Sequence, residues 1–309
     1  MKAIVLKDTK LQLEEINAPS IAANQVLVKV KAISINPVDV KTGQGKAFYN
    51  QIKDESPVIV GWDISGEVAE VGPDVTRFKV GDAVFGMVNF PGHGKAYAEY
   101  VAAPEDHLAL KPAAISHEEA AAATLAALTA WQVLVTKAKL QAGQKVLIHA
   151  AAGGVGHYAV QIAKHLGAFV IGTSSASKKD FIMSLGADQH IDYTSQQFEE
   201  VVQDADVVLD SLGPGNVARS IETLKKGGIV ISILGFSPEN EQKAKDKGVE
   251  GFGYLVASNG DDMRSLAKLL ETGEMKSVVS HTFRFEQMQE AHDQVNSGKT
   301  QGKVVVTIE

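Results

Sequence analysis

The sequence predicts a mixed α/β protein: a β-rich domain assembled from both chain ends, and between them a doubly wound parallel sheet covered by helices. Three observations predict this. Short Val-, Ile- and Ala-rich runs separated by turn residues fill the first ~110 positions. From residue 116 strands and helices alternate at ~20–30-residue intervals, the spacing of βαβ crossovers. The chain then closes on KVVVTI at 303–308, one more strand, which implies a return to the first domain. The expected boundaries are 1–115, 116–250 and 251–309.

Taken in order, strands are expected at 2–6, 25–35, 65–71, 83–88 and 97–103, with turns at Ala18-Pro19, Gly72-Pro73-Asp74, Gly81-Asp82 and Gly92-His93-Gly94. Val26, Val28 and Val30 alternate with other residues, as on a half-buried antiparallel strand. Ser116 followed by Glu119 forms a capping box and opens one long alanine-rich helix toward Lys137. Strands at 145–149, 169–172, 190–191, 206–209 and 229–234 then alternate with helices at 155–166, 177–185 and 217–224. Amphipathic helices at 261–271 and 287–295 precede the closing strand. The segments 43–56 and 237–251 are expected as loops that shape a substrate cleft.

Composition narrows the function. The 309 residues carry 30 basic and 37 acidic side chains, a formal charge of −7, so nothing draws the chain globally to nucleic acid or anionic lipid. With no cysteine, disulfides, iron–sulfur clusters, thiolate zinc sites and thiol catalysis are excluded together. The longest apolar stretch, 120–135, is broken by Thr124, Thr129 and Gln132 and reads as a buried helix, not a membrane span. No apolar leader opens the chain, and the cytosol is the expected compartment.

The most informative stretch is 146–159, VLIHAAAGGVGHYA. Gly154-Val-Gly156-His-Tyr-Ala159 fits the G-x-G-x-x-A dinucleotide fingerprint, set between a strand and a helix as the motif requires. Gly154 is expected to permit the turn, Gly156 to let backbone approach a pyrophosphate, and Ala159 to let helix and strand pack closely. The helix N-terminus supplies N–H groups and partial positive charge to the phosphates. The bland alternative is a glycine-rich turn without ligand. Where an NAD-binding chain places an acid on the adenosine ribose, this one has Thr173, Ser174 and Ser175, then Lys178 and Lys179. Hydroxyls and lysines without a carboxylate suit a 2′-phosphate and favour NADP, although solvated loop lysines would look the same.

With these residues in view, the chain resembles the medium-chain dehydrogenase/reductase superfamily, specifically its zinc-free quinone oxidoreductase (zeta-crystallin-like) branch. The resemblance runs over essentially the whole length. It rests on Ile35-Asn-Pro-Val-Asp39, Gly61-Trp-Asp63 with Gly66, Val71-Gly-Pro, Phe78-Lys-Val-Gly-Asp82, Val84-Phe85-Gly86 and Thr129-Ala-Trp131. The 149–156 segment, Asp210-Ser-Leu-Gly213 and Gly302-Lys-Val-Val-Val306 complete it. The resemblance implies a GroES-like β domain and a Rossmann domain, a homodimer joined through a sheet edge such as 229–234, and NADPH and substrate as ligands. In zinc-dependent relatives Cys, His and a carboxylate bind the metal. Here Asn36-Pro37 and Gly61-Trp62-Asp63 occupy the matching positions, so no zinc is expected.

Without a Lewis acid, the implied reaction is hydride transfer to an already electrophilic acceptor, a quinone or an α,β-unsaturated carbonyl. Asn36 is the candidate donor to the acceptor oxygen, or simply part of an Asn-Pro turn. Asp39 lies beside it. Tyr49 is a second candidate donor, or an ordinary loop tyrosine; Trp62 reads as a core residue. The resemblance carries Ala152, Gly153, Gly154, Val155 and Gly156 to the cofactor's diphosphate and adds Thr129 to the cofactor-binding residues. It carries Ser174, Ser175, Lys178 and Tyr193 to the 2′-phosphate, and Ser211, Leu212, Gly235 and Phe236 toward the nicotinamide. The remaining readings are an alkenal/enone reductase and, from another class, a non-catalytic NADPH-binding sensor. No nucleic-acid or membrane partner is expected.

Overall fold

In a computed structural model describing residues 1–308, the chain forms two units, 1–128 with 256–309, and 129–255. The first begins with a hairpin of β1 (Lys2–Lys7) and β2 (Lys10–Glu15). Its two-residue turn, Asp8-Thr9, takes positive φ at both positions (48° and 60°), which matches the strands' twist. β2 is a strand the sequence reading passes over, because its KLQLEE carries no β-branched residue.

β3 (Gln25–Ile35) buries Val26, Val28 and Val30 as the alternation requires, and from Ala32 onward is covered on both faces. It runs into α1 (Pro37–Gly43), whose Pro37 sits in the first turn where a missing N–H costs nothing. α2 (Tyr49–Ile52) places a helical turn inside the expected 43–56 loop. β4 (Asp63–Val71), β5 (Ala83–Met87), β6 (Tyr100–Pro104) and β7 (Leu108–Leu110) follow.

The expected long helix at 116–137 is corrected: it is broken. The Ser116–Glu119 capping box opens α3 (His117–Ala122), the chain leaves helical geometry at Ala123, and α4 (Leu125–Trp131) starts afresh. The cause is tertiary. Thr124 Oγ donates to the Ala121 carbonyl at 2.8 Å, and the Leu125 N–H donates to the buried Asp63 carboxylate at 3.0 Å. That carboxylate thereby satisfies an amide a helix N-terminus otherwise leaves open. Residues Gln132–Lys137 then widen into π-helical bonding, Ala138 N–H reaching the Val133 carbonyl at 2.8 Å. α3 also belongs to the first unit rather than heading the second, because Ala121 and Ala122 pack on Ala32 and Val305.

In the second unit β8 (Lys145–Ile148), α5 (Gly156–His165), β9 (Phe169–Ser174), α6 (Lys179–Ser184) and β10 (Gln189–Asp192) form one half. The other half is α7 (Phe198–Val201), β11 (Ala205–Asp210), α8 (Pro214–Thr223), β12 (Leu224–Ser232), α9 (Pro238–Lys247) and β13 (Glu250–Gly253). All strands pair parallel in the order β10-β9-β8-β11-β12-β13, the doubly wound arrangement. Leu147, Ile171, Ile191, Val208 and Val230, one from each of five strands, share a core with Val217 and Ile221 of α8.

Two expectations are corrected here. Residues 237–251 are not loop: Ser237 caps α9 through the Asn240 N–H at 3.3 Å, Pro238 sits in the first turn, and Gly248 closes it at φ 73°. Residues 229–234 are not a sheet edge, since β12 is flanked by β11 and β13; the edges are β10 and β13.

The chain returns to the first unit with α10 (Gly260–Thr272), β14 (Val279–Arg284), α11 (Met288–Asn296) and β15 (Lys303–Thr307). β15 pairs antiparallel with β3, Val304 opposite Ile35 and Val306 opposite Ile33, giving the sheet order β14-β15-β3-β4-β5-β7 with β6 also on β3. Among the described residues no helix is long and apolar enough to cross a membrane.

Gly66 of β4 lies where the β3–β4 register shifts, and a Cβ there would overlap the Lys29 carbonyl oxygen and sit 2.9 Å from Val30 Cα. Gly81 has φ 89° but open space around it. Thermal unfolding is expected to show Gly81→Ala costing about 1–2 kcal/mol from backbone strain alone. Gly66→Ala is expected to cost clearly more or to prevent folding; equal losses would refute this packing.

Candidate active site

The residues expected to hold the cofactor gather at the carboxyl edge of the second unit's sheet. The chain leaves β8 through His149, and Ala150 turns at φ 48°. This corrects the expectation for Gly154: the left-handed residue of the turn is Ala150, held by its N–H to Thr173 Oγ (3.3 Å) and by Ala151 N–H to the Thr173 carbonyl (2.9 Å). Gly156 opens α5, and a Cβ there would overlap the Ala150 carbonyl and sit 2.6 Å from Ala151 Cα. The glycine is therefore required by the helix closing on its own turn. Ala152 is buried, Gly153, Gly154 and Val155 are half-buried, and Ala159 packs fully buried under the helix. The result is a shallow backbone cradle, closed by Gly153 N–H to the Ala150 carbonyl at 2.9 Å.

At the end of β9, Ser174 is buried, with Oγ 3.0 Å from His190 Nε2 and donating to the Ser175 carbonyl at 2.9 Å. Ser175 Oγ lies 3.2 Å from Ser177 Oγ. Lys178 is half-buried whereas Lys179 is exposed, which separates two lysines the composition leaves equivalent. Tyr193 follows β10, its N–H donating to the Ser174 carbonyl at 3.2 Å and its ring 63% exposed. Hydroxyls, a lysine and an exposed ring thus meet at one strand end; the neighbouring Asp192 carboxylate, opposite Ser174 in the β9–β10 register, is taken up by Thr194, Ser195 and the Ala176 N–H.

The ends of β11 and β12 are fixed by a buried acid. Asp210 accepts from the N–H groups of Leu212 (3.1 Å) and Gly213 (2.8 Å), from Asn216 Nδ2 (2.6 Å) and from Ser232 Oγ (3.3 Å). That shapes the Ser211-Leu212-Gly213 turn and leaves Leu212 exposed. Ser211 Oγ donates back to the His149 carbonyl at 3.1 Å. Gly235 turns at φ 100°, and the Phe236 ring packs against the unit's core beside Gly251. Thr129, in α4, is buried.

His149 is a residue the sequence reading leaves as a mere strand end. It is buried, with Nδ1 3.2 Å from Thr173 Oγ and Nε2 2.9 Å from Ser220 Oγ, its ring edge-on to Phe198 at 4.5 Å. Burial pushes its imidazole down to about 4, so it is neutral at pH 7 and ties β8, β9 and α8 together without charge.

In the first unit, Asn36, Asp39, Asp63 and Lys303 form a buried polar cluster. Asn36 N–H donates to Asp39 Oδ2 at 2.6 Å and its Nδ2 to Asp63 Oδ2 at 2.7 Å. Lys303 Nζ donates to Asn36 Oδ1 and to the Ile35 carbonyl at 3.2 Å. Burial raises the Asp63 carboxyl while Lys303 and its hydrogen-bond donors oppose the rise. Burial and the neighbouring Asp63 push Asp39 up to about 8. Geometry agrees: Asp39 Oδ1 accepts no hydrogen bond among the described residues, which suits a protonated acid. Beside the cluster, Tyr97 Oη pairs with His292 Nε2 at 2.9 Å; burial drives the phenol up and the imidazole down to about 4, so the phenol donates and the neutral ring accepts.

Asn36 is only 2% exposed, with its carbonyl and one amide hydrogen already engaged, leaving one hydrogen for a ligand. Tyr49 is half-buried at the start of α2. Its neighbour Phe48 stacks edge-on with Trp62 (5.9 Å) and Phe90 (5.1 Å). The Trp62 indole donates to the Gly92 carbonyl at 2.7 Å and has no lone pair for a metal. With an amide committed to Asp63 and Lys303, an indole, and a carboxylate already accepting from Asn36 and the Leu125 N–H at the positions matching the ligand set, these residues do not fit a catalytic zinc. Among the described residues no group of three or more His, Asp or Glu gathers elsewhere to hold one.

Two family descriptions match the chain, the alcohol dehydrogenase GroES-like domain over residues 22–113 and the zinc-binding dehydrogenase over 185–306. A 2-methylene-furan-3-one reductase from Solanum lycopersicum is 36% identical over 307 residues, spanning 96% of this chain and 75% of that protein. The chain belongs to the medium-chain dehydrogenase/reductase superfamily. It is an oxidoreductase of the superfamily's quinone and alkenal oxidoreductase group. An NADPH-dependent alkenal/one oxidoreductase from the chloroplast of Arabidopsis thaliana is also 36% identical, over 99% of this chain and 79% of that protein. A quinone oxidoreductase from Coxiella burnetii superimposes with a TM-score of 0.91 at 35% identity, covering 100% of this chain and 98% of that one.

The Asp39 site generates a pH prediction. A carboxyl raised to about 8 in the fold, against 3.8 ordinarily, holds a proton the unfolded chain has lost, so its stabilisation declines as pH rises toward 8 and then levels. Asp39→Asn mimics the protonated acid at all pH values. The melting temperature of the variant relative to the parent is expected to climb from pH 5 to 8 and plateau above; a difference flat across that range would mean Asp39 titrates normally.

Proposed function

We propose that the protein is an NADPH-dependent, zinc-independent reductase that delivers hydride to a quinone or to an α,β-unsaturated carbonyl. The observation that carries the cofactor half is the carboxyl edge of the second unit. Its backbone cradle at Ala152, Gly153, Gly154, Val155 and Gly156 would receive the diphosphate, and Ser174, Ser175, Lys178 and Tyr193 the 2′-phosphate. Thr129, Ser211 and Leu212 complete the cofactor-binding set of the same reading, and Gly235 and Phe236 border the nicotinamide. When bound, the nicotinamide supplies the hydride.

The chain's own residues supply position and a hydrogen bond. Asn36 directs its remaining amide hydrogen at the acceptor oxygen as negative charge develops there, and Tyr49 is the second candidate donor. Asp39 keeps the Asn36 backbone in place. Enone reduction stands beside quinone reduction because the Solanum and Arabidopsis relatives bear enone and alkenal names while the Coxiella relative bears a quinone name. A homodimer follows from the family resemblance, and a cytosolic address from the absence of an apolar leader in the given sequence.

Purified protein is expected to oxidise NADPH faster than NADH with a panel of quinones and enones, and relative kcat/KM values rank the two classes. Tight NADPH binding without acceptor-dependent oxidation would instead make it a sensor. Lys178→Ala is expected to raise KM for NADPH about tenfold, the loss of one charge-assisted hydrogen bond, with NADH unaffected. An equal effect on both cofactors would remove Lys178 from the 2′-phosphate.

A further inference from the structure

Asn36 is held by charge at both ends of its side chain. Its carbonyl oxygen takes a proton of the Lys303 ammonium, and its amide nitrogen gives one to Asp63 at 2.7 Å. A flipped amide would set NH2 against an ammonium and oxygen against a carboxylate, unfavourable on both sides, so one orientation is enforced. The backbone is equally committed, through Asn36 N–H to Asp39 at 2.6 Å and through Lys303 Nζ to the Ile35 carbonyl at 3.2 Å. A cation on the carbonyl oxygen also draws electron density out of the amide and makes its remaining N–H a stronger donor. Lys303 is itself buried and sits 267 positions from Asn36 in the chain, delivered by the pairing of β15 with β3.

We propose that Lys303 is a positioning residue for the acceptor, orienting and polarising the Asn36 amide through its side-chain carbonyl oxygen. This rests on the reading of Asn36 as the group that meets the acceptor oxygen. Lys303 thus acts on the reacting oxygen across the Asn36 amide group and never touches substrate. Nothing in the sequence pattern of GKVVV distinguishes such a lysine from one that merely begins a strand.

The test is a double-mutant cycle on the NADPH-loaded enzyme with a quinone and an enone as probes. Asn36→Ala and Lys303→Met are each expected to lower kcat/KM for the acceptor about tenfold, with NADPH affinity unchanged by calorimetry. If Lys303 acts through Asn36, the double variant is no worse than Asn36→Ala alone; a merely structural lysine would multiply the losses to about a hundredfold. Multiplied losses, or a folded Lys303→Met enzyme as active as the parent, would overturn the proposal while leaving Asn36 in its role. Parent-like kinetics for Asn36→Ala would instead remove the Asn36 reading, and this proposal with it. Should Lys303→Met fail to fold, Lys303→Met/Asp63→Asn removes both charges together, and Lys303→Arg restores the cation. Full activity in the former, or no recovery in the latter relative to the former, counts against the assignment.

Discussion

Two carboxylates and one ammonium are taken out of water together in the first unit, and the geometry around the 36–43 segment follows from having to neutralise them. Asp39 comes from α1, Asp63 from β4 and Lys303 from β15. Burying an ion without partners is prohibitive, and two of the groups find several: Asp63 takes Asn36 and the Leu125 N–H, and Lys303 takes Asn36 and Ile35. With one cation for two acids, the remaining imbalance falls on Asp39, which burial and Asp63 turn into a proton-holding acid. The same cluster breaks an alanine-rich helix in two, because Asp63 draws the first amide of α4 onto itself.

The second unit meets a similar demand with one buried acid, Asp210, surrounded by neutral donors. Its strand-end turns are joined by Asp210, Asn216, Ser220, His149 and Thr173, through bonds from His149 to Thr173 and Ser220 and from Asn216 to Asp210. A protonated His149 would have no acid to balance it in hydrogen-bond contact, and burial keeps it neutral. A satisfied network of this kind stiffens loops that strand pairing alone leaves free. It is the physical reason a row of small residues at the sheet's edge holds a defined shape.

The family description carries the word zinc, yet the positions that would ligate it here are an amide held by a lysine, an indole, and a carboxylate tied up by Asn36 and the Leu125 N–H. What makes the chain recognisable as a member is mostly backbone-determined: Gly66 against Lys29, Gly156 against Ala150, the β15 return. Those constraints belong to the fold and survive a change of chemistry at the ligand positions.

By itself the sequence determined the parallel-sheet domain, the fingerprint turn and the return of the closing strand, because each rests on local periodicity or on residues with special backbone freedom. Val26, Val28 and Val30 announce a half-buried strand, and Gly154-x-Gly156 announces a tight turn between a strand and a helix. Asn36 and Asp39 could be singled out on family spacing. Only the tertiary structure decided that the 116–137 helix breaks, that Ala150 rather than a glycine takes the left-handed position, that β13 and not β12 lies at the edge, and that Lys303 reaches Asn36. Each of those outcomes depends on a partner distant in the chain: Asp63 for the break, Thr173 for the turn, β13 itself for the edge, β3 for the lysine. Periodicity records what a segment prefers alone, and buried hydrogen bonds between distant segments override that preference when a charge must be satisfied.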